Sequence, residues 1–123
     1  MLAYITNLIL CLALTLLLEF IPIVVFLGIS PKYFVAVNVL TNVIANAVVF
    51  IFDICSPQNI SLLSTMPADR LKLIFVIEIV VVISEIILYY LYLGKKQLLK
   101  VVVLTIIANV ISYFLGNYII GLI

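Results

Sequence analysis

The chain has 123 residues, 68% of them hydrophobic and only 9% charged, with six Lys or Arg against five Asp or Glu for a net charge of +1. Soluble domains run at about 45–50% apolar and about 25% charged, so this composition excludes an ordinary water-soluble domain. The near-neutral balance and lack of a basic patch exclude nucleic acid as a partner. His is absent, which removes the commonest metal ligand and the usual general base near neutral pH. Cys11 and Cys55 have no metal-ligand spacing and read as two inert thiols. The expectation is therefore an integral membrane protein without metal, cofactor or enzymatic activity.

Four apolar stretches follow in chain order, at about 2–28, 34–52, 71–93 and 98–122. Each is long enough as a helix, at about 1.5 Å per residue, to cross a hydrocarbon core of about 30 Å. The first is not a signal peptide: it lacks a basic start and its apolar run is too long. Gly28 and Pro31 break the chain between the first two stretches, and the joint GKKQLLK at 94–100 is equally short, so each joint predicts a helical hairpin. The expected fold is all-α: one domain over 1–123, a compact bundle of four transmembrane helices built as two tandem hairpins. Residues 53–70 form the long connection, with an apolar stretch at 60–66 expected to lie along the membrane surface. Asn59, Ile60 and Ser61 match a weak glycosylation acceptor.

The two halves resemble each other. Glu19 and Gly28 recur 66 positions later as Glu85 and Gly94, and Asn42, Ala45 and Asn46 align 63 positions on with Thr105, Ala108 and Asn109. Chance similarity between apolar helices is the plain alternative, but Glu, Gly and Asn are rare letters here. A two-helix repeat preserves orientation, so the halves are expected to relate by an axis along the membrane normal. Lys32, Lys95, Lys96 and Lys100 lie at the hairpin joints against Arg70 and Lys72 at the other end. That excess places the joints in the cytoplasm and both termini outside, in a multi-pass protein of the cell membrane.

The polar residues form stripes. Asn7, Cys11, Thr15 and Glu19 step by four along the first stretch, and Asn38, Asn42 and Asn46 do the same along the second. Pro22 predicts a kink beside Glu19. In the third, Glu78 and Glu85 are seven apart, with Tyr89 and Tyr92 continuing their face. In the fourth, Thr105 and Asn109 accompany a small-residue seam of Ala108, Ser112 and Gly116 that lets helices approach. Counted from the joints, Glu19, Glu85, Asn42 and Thr105 share one layer about 10–13 Å deep, with Glu78 about 10 Å further on.

Asn and Thr stripes in membrane helices usually serve as interhelical hydrogen bonds worth about 0.6 kcal/mol. The glutamates demand more: a charge near the bilayer centre costs about 2.5–3.5 kcal/mol or more, and no Lys or Arg lies at that depth to pair with one. Desolvation is therefore expected to keep at least one neutral. One reading makes the protein a proton- or cation-handling transporter or channel-like protein, with Glu19, Glu85 and Glu78 as binding groups and Asn42, Asn46, Thr105 and Asn109 as neutral ligands. Replacing Glu19 or Glu85 by Gln would then stop uptake. The other reading is a structural or assembly subunit, its partners a second copy or a larger membrane complex. Size, four helices and a Glu in the first are superficially similar to the small multidrug resistance transporters. The missing Trp and the additional membrane Glu depart from that pattern, and no site is carried over.

Overall fold

The structure, a computed structural model, describes residues 2–55, 68–94 and 97–122. It is all-helical over these, with four helices: α1 (Leu2–Phe20, continued by a π-helical turn at Ile21–Phe26), α2 (Pro31–Cys55), α3 (Ala68–Leu93) and α4 (Leu98–Leu122). Three spans are long and apolar enough to cross a membrane: Ile5–Phe26, Pro31–Cys55 and Leu98–Leu122. Those three spans point to a membrane protein. α3 carries Arg70, Lys72, Glu78 and Glu85 and is not among them.

Helix ends follow local chemistry. Pro22 has no N–H to give the Leu18 carbonyl, and the backbone answers by widening: Leu27 N–H reaches back five residues to Pro22 O at 3.2 Å, and Ile29 N–H six residues to Ile23 O at 3.4 Å. The kink expected at Pro22 is thus a π-turn that begins two residues after Glu19. Gly28 and Gly94 end α1 and α3 with φ of 78° and 75°, a left-handed conformation that favours glycine. Pro31 then occupies the first position of α2, where its missing donor costs nothing. α2 thus starts three residues before the expected 34 and continues past 52 to Cys55, while α3 starts at Ala68 rather than 71. The last two extensions take up both ends of the expected connection at 53–70. Asp53 and Arg70 instead lie on facing helix ends, joined by Arg70 Nε–Asp53 Oδ1 at 2.9 Å and Arg70 Nη2–Asp53 Oδ2 at 3.2 Å. The expected surface stretch at 60–66, the Asn59 acceptor, Lys95 and Lys96 lie outside the described residues.

The helices form a ring. Each packs on its neighbour in the chain and α4 closes against α1, whereas the backbones of the diagonal pairs α1/α3 and α2/α4 stay more than 8 Å apart at their Cα atoms. The buried apolar core (Ile23, Leu27, Ile29, Phe34, Val37, Tyr89, Val101 and Ala108) concentrates at the hairpin-joint end. Phe20 and Phe34 meet edge to face at 6.0 Å, and Tyr33 stacks on Tyr92 at 4.5 Å while its hydroxyl donates to Leu88 O at 2.8 Å. Leu17, Val25, Phe75, Leu99 and Phe114 are exposed, as suits faces solvated by lipid.

Candidate functional site

Glu19 and Glu85 come from diagonal helices, and both are buried, at 1% exposure each. They are close enough across the ring to feel each other's charge. Their surroundings differ. Glu85 has a neutral donor within hydrogen-bond distance of each oxygen: Thr41 Oγ1 to Oε1 at 3.1 Å and Asn109 Nδ2 to Oε2 at 2.7 Å. Glu19 has the Ser112 hydroxyl beside it, but its Oε2 has no hydrogen-bond partner among the described residues. Asn38 Oδ1 and Thr105 Oγ1, both buried, also have none. Asn38 uses its amide instead on Tyr89 Oη at 3.0 Å, which brings a buried phenol beside both carboxyls.

A cleft of about 450 Å³ reaches this layer. Its lining runs from Glu19, Asn109 and Ser112 outward to Cys11, Val49, Arg70 and Asn117, toward the end where α2 finishes and α3 begins. All four helices contribute. Glu78 lines it as well but is exposed, so the carboxylate stripe of α3 is hidden at Glu85 and open at Glu78. Glu85 does not line the cleft; Asn109 does. At the opposite end the apolar core closes the bundle.

The neutral residues separate into two groups. Asn42 and Asn46 line the cleft half-buried, and their amides donate to carbonyls four residues back, Asn38 O at 2.9 Å and Asn42 O at 2.8 Å. Their bonds are therefore intrahelical rather than the interhelical ones expected of such a stripe. Asn109 reaches Glu85, whereas Thr105, buried in the same helix, offers its carbonyl to Asn109 at 3.0 Å. Thr41 and Asn38, which the sequence places on the polar stripe of the second stretch but not among the binding candidates, make the contacts to Glu85 and Tyr89. The available signal was their spacing of three, one shared face of α2. Ala108, Ser112 and Gly116 are buried within the chain on α4, so this seam is used internally. Gly116 borders the cleft, and a Cβ there would meet no atom within 4 Å, so close helix approach is not what places glycine at this position.

Among the described residues no group of three or more metal-ligating side chains assembles. The donor set is oxygen-rich and neutral apart from the carboxyls, chemistry that suits a proton or a hard cation. Comparison with known protein families, curated proteins and solved structures finds no match.

Proposed function

We propose that this is a four-span membrane protein that handles protons or small cations at the Glu19–Glu85 pair. One observation carries the reading: two carboxyls are buried on diagonal helices, Glu19 at the inner end of a cleft and Glu85 behind the cleft residue Asn109, and among the described residues neither is in a salt bridge. Two buried carboxylates repel each other in low dielectric, so the arrangement is favourable when a proton or cation is shared between them. α3 serves as the fourth span in this account, since it lies in the ring between α2 and α4 and carries half of the site. Features that a tandem repeat would have support it too: both glutamates are buried, both following glycines are left-handed, and the two helices concerned are diagonal. With the hairpin joints in the cytoplasm, the cleft opens outward.

Infrared difference spectroscopy on the purified, reconstituted protein tests this. In a Glu78→Gln background, addition of Na⁺ at constant pH, or titration followed in the bands of carboxyls shielded from water, is expected to change the carboxyl stretching bands, and further Glu19→Gln/Glu85→Gln substitution is expected to remove that change while keeping the helical signal. An unchanged wild-type spectrum would make the pair packing groups. A second reading, an assembly subunit, draws on Glu78, an exposed carboxylate that a basic side chain of a partner would satisfy. Loss of a co-purifying subunit on Glu78→Gln would favour it.

A further inference from the structure

The two carboxyls of the pair are not equivalent, although the repeat makes them so in sequence. Glu19 borders the cleft; Glu85 does not. Both oxygens of Glu85 have a neutral donor within hydrogen-bond distance, Asn109 at 2.7 Å and the Thr41 hydroxyl at 3.1 Å, although Val37 O at 3.0 Å competes for the one Thr41 proton. Asn109 is itself a cleft residue, so its amide stands between the cleft and Glu85. Glu19 Oε2 is fully buried with no partner among the described residues. An acceptor-only atom taken out of water with no donor is costly, and a proton or a cation relieves that cost. The backbone after Glu19 is also the irregular one. The π-turn at Ile21–Phe26 has replaced regular α-helical bonds, whereas Glu85 sits in unbroken helix.

We infer that Glu19 is the loading carboxyl, filled by a proton or a monovalent cation through the cleft from the end where α2 finishes and α3 begins, and that Glu85 is the fixed counter-group. This rests on the ion-handling reading and assigns its two halves different work. The apolar core at the joint end keeps the site closed to that side in this conformation. Thr15, Asn42 and Asn46 border the path that the ion follows to Glu19.

A hydrophobic carbodiimide, which forms a stable N-acylurea on protonated carboxyl groups in apolar surroundings, tests the assignment in a Glu78→Gln background that silences the other carboxyl of the cleft. Peptide mass mapping of the reconstituted protein is expected to show Glu19 modified severalfold faster than Glu85. Protection of Glu19 by Na⁺ or K⁺ at constant pH identifies an alkali cation as the ligand; protection by raised pH alone identifies the proton. Equal or faster modification of Glu85 would overturn the inference. In parallel, Glu85→Gln should retain measurable uptake where Glu19→Gln has none, and the reverse order would overturn it as well. The labelling ratio is read without any transport. A failure of the ion-handling reading, seen as uptake indifferent to both substitutions, is therefore distinct from a failure of this one.

Discussion

Asn109 Nδ2 donates to Glu85 Oε2 at 2.7 Å and also lies 3.0 Å from the carbonyl of Thr105, so a single amide ties a buried carboxyl of α3 to the backbone of α4. Asn46, the residue that the expected repeat would pair with it, only reaches its own helix at Asn42 O. Removing the first bond should leave a buried oxygen without its closest donor. Asn109→Ala is expected to cost about 1–3 kcal/mol. Asn46→Ala should cost well under half of that. Thermal unfolding of the two variants in one detergent compares them directly; equal losses would mean that the cross-helix bond carries no special weight.

The Arg70–Asp53 pair fastens the start of α3 to the end of α2 at the mouth of the cleft, with side chains 24% and 36% exposed. At that exposure water screens most of the attraction. A double-mutant cycle with Arg70→Gln and Asp53→Asn is expected to give a coupling of about 0.2–1 kcal/mol that shrinks as salt is raised. A larger coupling insensitive to salt would indicate a drier mouth than the side-chain exposures imply.

The glycines separate by backbone conformation. Gly28 and Gly94 have positive φ and open space around a Cβ, so substitution there is penalised by the backbone alone. Ala at either is expected to destabilise by about 1–2 kcal/mol. Gly116 is helical with the same open space, and Ala there should stabilise by about 0.5–1 kcal/mol. Gly116→Leu should keep the fold and fill the cleft, so that uptake falls while thermal stability does not.

Much of the fold was legible from hydropathy and punctuation. The positions of Gly28, Pro31 and Gly94 announce the two joints, and the fourth helix starts where its apolar run does, at Leu98. What sequence could not supply was the direction of each stripe. Glu78 and Glu85 are seven apart on one face, yet the face is packed at Glu85 and opens into the cleft at Glu78, because the apolar core lies at the joint end. Likewise the stripe of Asn38, Asn42 and Asn46 looked uniform, but only Asn38 is within reach of another helix at Tyr89. Asn and Thr can always fall back on their own helix's carbonyls, so spacing alone does not reveal which of them bridges.

If the buried pair handles protons or cations, flux into sealed vesicles shows it most directly. The reconstituted wild-type protein should carry protons or Na⁺ down an imposed gradient faster than protein-free vesicles. The Glu19→Gln/Glu85→Gln protein, with unchanged helical content, should fall to the protein-free rate. Wild-type flux that the double substitution leaves intact, or no wild-type flux with either ion, would contradict the account.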